Sequence, residues 1–206
     1  IEEGRVKVNG KVVVNLATKV SNSDEVHIGK KTIREDKNKI STVIVYNKPK
    51  GEIVSKKDPQ GRRTIYDSLD HKYKHFLSVG RLDYASEGLL LLSDSVEIVD
   101  ALMHSDLERV YKIKVNGVIT KPVEQAMQNG LEIEDATGGA FKTSKIKSMS
   151  FAPFLAYDIL TNSEKFSKIK VVISEGKNRE LRRFFAHFGL DVLDLKRLEY
   201  GGISLN

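Results

Sequence analysis

Residues 89–92 are four consecutive leucines, Leu89-Leu90-Leu91-Leu92, with no polar alternation. A strand of that composition is buried rather than half in water, so the run has to lie inside a sheet. A second apolar run, Phe76-Leu77-Ser78-Val79, precedes it, and the loop between the two holds Arg81, Asp83 and Glu87. A carboxylate is thereby carried between two buried strands. Asp in a loop is ordinarily a turn former, and by itself Asp83 implies no chemistry.

The rest of the pattern decides the fold class. Residues 5–14, RVKVNGKVVV, alternate on either side of Asn9-Gly10, the dipeptide of two-residue hairpin turns, so a β-hairpin is expected. A short strand over residues 24–28 follows. Residues 30–39 are charged and aperiodic and read as a linker. The apolar run 43–46 is a buried strand that ends at Lys48-Pro49, because proline offers no ladder donor. Ser95 is the N-cap of a helix running to about residue 104. A second helix, 121–129, has Pro122 in its first turn and Gly130 just past its end.

Further strands are expected at 110–115, 141–149, 156–160, 168–174 and 193–198. In the last helix, from about residue 178 to Gly189, Leu181, Phe184, Phe185 and Phe188 fall at i, i+3, i+4 and i+7 and form the core face. Arg179, Arg182 and Arg183 occupy the opposite arc, which should face solvent. Strands outnumber helices and several connections are short, which predicts an α+β fold: a mixed, mainly antiparallel sheet with flanking helices, plus a small N-terminal β-hairpin module. The expected division is a module over 1–34, a linker over 35–41 and a main domain over 42–206. The chain opens on Ile1 in mid-motif, which implies residues upstream.

Composition bounds the chemistry. With no Cys, disulfides, thiolate catalysis and sulfur-ligated zinc are excluded, and a reducing compartment fits. No apolar run approaches the roughly 18 residues of a membrane span, so a soluble, intracellular protein is expected. Lys and Arg number 34 against 28 Asp and Glu, a net charge of +6 that suits a polyanionic partner without requiring one. His71 and His75 share a helical spacing but lack a third ligand, and neither a P-loop nor a dinucleotide fingerprint occurs. Neither a metal nor a small-molecule cofactor is expected.

Two more segments attract interest. Glu175-Gly176-Lys177-Asn178-Arg179-Glu180-Leu181-Arg182-Arg183 delivers four basic groups at a helix start, where cations oppose the helix dipole unless an anion is present. Tyr111, in Arg109-Val110-Tyr111-Lys112, is an ordinary strand residue taken alone.

Together these segments resemble the RsuA/RluB-type family of pseudouridine synthases. The resemblance rests on GRLDYASEGLLLLSDSVEIVDALMHS, residues 80–105, on Asn47-Lys48-Pro49-Lys50-Gly51, on Asp58-Pro59-Gln60-Gly61-Arg62 with Thr64, and on EGKNRELRR. Ser86 stands where the family usually has Thr, and the hydroxyl is retained. The DP-x-GR-x-T segment leans toward members acting on large-subunit RNA. Residues 4–28 look like the second half of an S4 RNA-binding module.

The resemblance implies that a uridine in RNA is flipped out, its N1–C1′ bond broken and the base rejoined through C5. Asp83 would be the essential carboxylate, as nucleophile on sugar or base or as a base removing a ribose proton. An enclosed carboxylate needs a cation beside it, and the family pattern places that cation at Arg182. Tyr111 would be the pocket tyrosine, with Arg81, Leu82 and Leu195 lining the pocket. Arg5, Lys7, Lys48, Lys50, Arg62, Lys177, Asn178 and Arg179 are the candidate RNA contacts.

The expected partner is ribosomal RNA or an assembling ribosomal subunit, met by a cytoplasmic, bacterial-type monomer. A non-catalytic RNA-binding or assembly protein on the same scaffold is the alternative. A glycosidase would need a second acid, for which Glu87 is the nearest in sequence.

Overall fold

The computed structural model describes residues 1–21, 23–33, 40–141 and 143–205. These form two compact units, Ile1–Ile40 and Ser41–Asn206.

The first unit is a four-stranded antiparallel sheet. Strands β1 (Val6–Val8), β2 (Lys11–Val13), β3 (Val26–Ile28) and β4 (Lys31–Ile33) are ordered β2-β1-β3-β4. The expected hairpin is β1–β2, and both turn residues, Asn9 (φ 50) and Gly10 (φ 79), take the positive φ that its type I′ turn demands. Asn9 also bridges to the next turn, donating from Nδ2 to Asp24 at 2.7 Å and accepting from the Glu25 amide at 2.9 Å. Part of the segment read as a linker is a strand: β4 pairs with β3, Val26 opposite Ile33. A three-residue strand of mixed polarity gives no periodic signal to read. The remainder of that expected linker, residues 34–39, lies outside the described residues.

In the second unit the order is β5 (Val43–Lys48), α1 (Ile65–Ser68), β6 (Leu77–Ser78), β7 (Glu87–Ser93), α2 (Val96–Met103), β8 (Arg109–Asn116) and α3 (Lys121–Asn129). Then come β9 (Leu131–Ile133), β10 (Met149–Phe151), β11 (Ala156–Thr161), β12 (Phe166–Ile173), α4 (Glu180–His187), β13 (Val192–Tyr200) and β14 (Ile203–Ser204). The main sheet runs β11-β12-β8-β13-β7-β5, with β6 and β14 added at β7 and β13. Every pairing in it is antiparallel except β13–β7. The α+β, mainly antiparallel architecture expected from the pattern is therefore present.

The leucine run behaves as its composition requires. Leu90 and Leu92 enter the large core that includes Ile65, Val123, Phe184 and Phe185, while Leu89 and Leu91 face a second cluster with Val79, Val99 and Tyr200. Both faces of β7 are covered, so all four leucines are buried. At roughly 1.5–3 kcal/mol for each fully buried side chain, this strand anchors the loop that precedes it. β13 meets β7 only at Lys196↔Glu87 and Arg197↔Gly88. There the strands come so close that a Cβ on Gly88 (φ 106) would collide with the Arg197 backbone.

Ser95 caps α2 by accepting from the Ile98 amide at 3.3 Å, and α3 starts with Pro at its first turn and ends at Gly130 (φ 81), as expected. Three expectations need correction. The run 43–46 forms an edge strand with Val43 and Val45 exposed, rather than a buried one. Among the described residues from 141 to 148 none lies in a strand: only Met149–Phe151 is extended into a ladder, and the Ser144 hydroxyl and Ile146 carbonyl before it accept from Arg183 of α4. The third correction concerns α4, whose arginines are buried: Arg182 is 8% exposed and Arg183 fully enclosed.

Candidate active site

The loop between β6 and β7 closes as a turn in which the Ser86 amide donates to the Asp83 carbonyl at 3.0 Å. Asp83 projects from it with its side chain 24% exposed, and two guanidiniums meet one carboxylate oxygen. Arg179 Nη1 lies 2.9 Å and Arg182 Nε 3.3 Å from Asp83 Oδ2. The pairing of Asp83 with Arg182 was expected; Arg179 is a second cation at the same oxygen.

Each arginine is itself held. Arg182 donates to the carbonyls of Val192 (3.1 Å) and Ala85 (3.3 Å) and to Ser86 Oγ (3.1 Å). The retained hydroxyl at position 86 thus has a definite partner. Burial, and then the charge of Arg179, push the Arg182 guanidinium below its ordinary value, and Asp83 partly offsets this. Arg179 stands just outside α4 as its N-cap, in the left-handed region (φ 52, ψ 30), and its Nε donates to the Gly139 carbonyl at 2.6 Å.

Asp83 opens onto a cleft of about 210 Å³ whose lining includes Arg81, Leu82, Tyr111, Arg182 and Leu195. Leu82, Tyr111 and Leu195 are all buried among apolar neighbours, whereas Arg81 is exposed. A fixed carboxylate, a phenol and an apolar wall therefore share one concave site, the arrangement in which a planar, weakly polar group can be held against a charged oxygen.

Residues 42–187 match the family described as RNA pseudouridylate synthase. The chain belongs to that family. A Helicobacter pylori relative, an uncharacterized RNA pseudouridine synthase, is 57% identical over 204 residues, which span 99% of this chain and 78% of the relative. The ribosomal large subunit pseudouridine synthase B of Bacillus subtilis is 35% identical over 208 residues, covering 100% and 79%. Among solved structures, a crystal structure of a pseudouridylate synthase shares the fold with a TM-score of 0.65 at 24% identity, covering 100% of this chain and 81% of that one.

The candidate cations divide into two kinds. Lys48, expected among RNA contacts, is completely buried: Nζ donates to the carbonyls of Pro49 (2.9 Å), Asp83 (3.1 Å) and Ser86 (2.8 Å). An ammonium has three protons, so all are used within the protein. Burial pushes its pKa down to about 8. Lys48 thus ties both ends of the Asp83 turn to the end of β5. Arg183, also enclosed, donates to Asn178 O and Oδ1, Ala136 O, Ile146 O and Ser144 Oγ.

The other candidates remain at the surface with acidic or carbonyl partners. Arg62 is bidentate on Asp58 at 2.9 Å, Lys50 pairs with Asp194, Lys177 reaches Glu175 and the Ser150 carbonyl, and Asn178 is exposed. In the first unit, Arg5 pairs with Glu3 at 2.7 Å and Lys7 is exposed. Glu87 is not among the residues lining the cleft, so it does not supply a second acid there.

Sequence reasoning missed Glu180. It is 6% exposed, lines the cleft, and accepts the Lys177 amide at 3.0 Å. Burial pushes its carboxyl up to about 7, with Glu175 adding to the rise. Only its place at i+1 after an arginine marked it in the sequence, and that pattern is common on solvated helices. No helix among the described residues is long and apolar enough to cross a membrane.

Proposed function

We propose that this chain isomerises a specific uridine of ribosomal RNA, in the large subunit, with Asp83 as the essential carboxylate. The observation that carries the reading is Asp83, paired with two guanidiniums, in a cleft lined also by Tyr111, Leu82 and Leu195. The named activity of the Bacillus subtilis relative supports the large-subunit substrate.

The target uridine enters the cleft flipped out of its stack, since C1′ and C5 cannot be reached within one. Its base lies between Tyr111 and the wall of Leu82 and Leu195. Asp83 either bonds to the sugar or base and is released again by the end of the reaction, or takes a ribose proton that it later returns, and the N1–C1′ bond breaks. The base turns, C5 bonds to C1′, the C5 proton leaves with the Tyr111 hydroxyl near it, and N1 regains a proton. Atoms and electrons balance without a redox partner, so no small-molecule cofactor is required. Arg179 and Arg182 hold the carboxylate oriented throughout. Arg81, Lys50, Arg62, Lys177 and Asn178 contact the RNA backbone, and Arg5 and Lys7 of an S4-like module over 1–34 also bind RNA. The protein acts as a cytoplasmic monomer on ribosomal RNA or an assembling subunit.

Tritium released from RNA labelled at uracil C5 tests the reaction directly. Release with large-subunit RNA, and loss of one pseudouridine from that RNA in cells lacking the protein, is the expected result. No release from free or partly assembled ribosomal RNA would overturn the proposal.

A further inference from the structure

Phe141 is a large aromatic with no place in either core cluster, and it is 55% exposed. Its ring lies 4.3 Å from the guanidinium carbon of Arg179, the same guanidinium that reaches Asp83. One ring face is thereby occupied by a cation, and the exposed area belongs to the rest of the ring.

The segment carrying Phe141 is firmly based. Arg183 holds it through the carbonyls of Ala136 and Ile146 and the Ser144 hydroxyl, and Arg179 through the Gly139 carbonyl. Gly139 (φ 66) lies so close to the first turn of α4 that a Cβ would collide with the Arg182 backbone. Lys145 and Lys147, on the same segment, are exposed. An aromatic face presented among cations is the combination that holds unpaired nucleic acid, in which cations meet phosphates and aromatic faces meet bases.

We infer that Phe141 is a stacking platform for a second, unpaired nucleobase of the RNA, a neighbour of the uridine that enters the cleft. The inference rests on the proposed uridine isomerisation and names what that site reads beyond its target. Pulling one base out of a stack frees its neighbour, and Phe141 gives that neighbour a new partner at the guanidinium that clamps Asp83. A guanidinium, a phenyl ring and a base then form one continuous stack. Selection falls on uridines whose neighbour is unpaired, because a neighbour locked in a duplex cannot reach the ring.

Phe141→Leu keeps an apolar cover on Arg179 and removes the flat face. It should raise KM for a large-subunit RNA transcript about ten-fold, the scale of one lost base–aromatic stack, and by clearly more than it lowers kcat. Phe141→Tyr should restore the wild-type KM, which a merely space-filling role would not require. The chain contains no Trp, so Phe141→Trp places its single tryptophan at the platform, where it is excited apart from the seven tyrosines. Its emission should be quenched by the transcript and by a nine-nucleotide oligouridylate. An unchanged KM in the Leu variant, or emission unaltered at saturating transcript, overturns the platform even if tritium release is normal. Quenching by RNA from a protein that releases no tritium leaves the platform standing and removes the isomerisation instead.

Discussion

Arg179 reaches Asp83 from outside helix α4: its Nη1 is 2.9 Å from Asp83 Oδ2 while its own backbone sits in the left-handed region. That conformation costs a non-glycine residue about 1–2 kcal/mol, and the bond to Gly139 O and the ion pair offset it. Asp83→Asn should therefore fold, keep its far-ultraviolet circular dichroism, and release no detectable tritium from C5-labelled RNA. Two guanidiniums left facing a neutral amide should lower stability by about 1–3 kcal/mol in urea unfolding. Turnover within ten-fold of wild type would remove Asp83 from the mechanism.

The two clamping arginines differ in how much they hold. Arg182 serves Asp83, two carbonyls and Ser86 Oγ from a buried position, and a lysine ammonium cannot span that fork. Arg182→Lys should cost about 2 kcal/mol or more and reduce kcat severely. Arg179→Lys, at the more open position, should cost less in stability. Urea midpoints of the two variants in reverse order would show that the guanidinium network around Arg182 is not what fixes the turn.

Much of the fold was legible where local rules are strong. The Asn9-Gly10 turn, the Ser95 cap and the Pro122–Gly130 bracket each depend on a few adjacent residues, and the structure has them as read. The leucine run required cover on both faces of β7 and received it. What failed was the inference from polarity to exposure. Arg182, Arg183 and Lys48 read as solvated cations, yet each donates to a backbone carbonyl tens of residues away, which no periodicity encodes. Among the described residues from 141 to 148, despite their alternation, none forms a strand, and the Ser144 hydroxyl and Ile146 carbonyl accept from Arg183 instead. α1 was missed because four residues are too few for a helical period.

Lys48 yields the third prediction. Lys48→Met keeps a stem of similar length and removes three donors, leaving the carbonyls of Pro49, Asp83 and Ser86 without that ammonium. Each buried carbonyl left unmade costs about 1–3 kcal/mol where water cannot reach it. The turn should shift, so kcat should fall more than affinity for RNA, measured by filter binding. A variant with normal kcat would show that the ammonium does not position Asp83.

Glu180 supplies a pH signature. Its ordinary carboxyl value of 4.5 applies to the unfolded chain, while burial raises it to about 7 in the fold. Between those values the native state binds a proton that the unfolded chain has lost, so stability falls as pH rises from about 4.5 to about 7. Above about 7 the buried charge is carried in full. Glu175, which interacts with it, is held low against its own burial by the Lys177 ammonium and the Ala152 amide, so the proton resides on Glu180. Glu180→Gln keeps an acceptor for the Lys177 amide and can donate to Glu175 without ionising. It should be more stable than wild type at pH 8, by on the order of 3 kcal/mol at most, with the advantage shrinking to nothing near pH 4.5. Thermal unfolding of both proteins from pH 4.5 to 8.5 measures this. Parallel curves across that range would mean that Glu180 is already charged in the native protein at low pH.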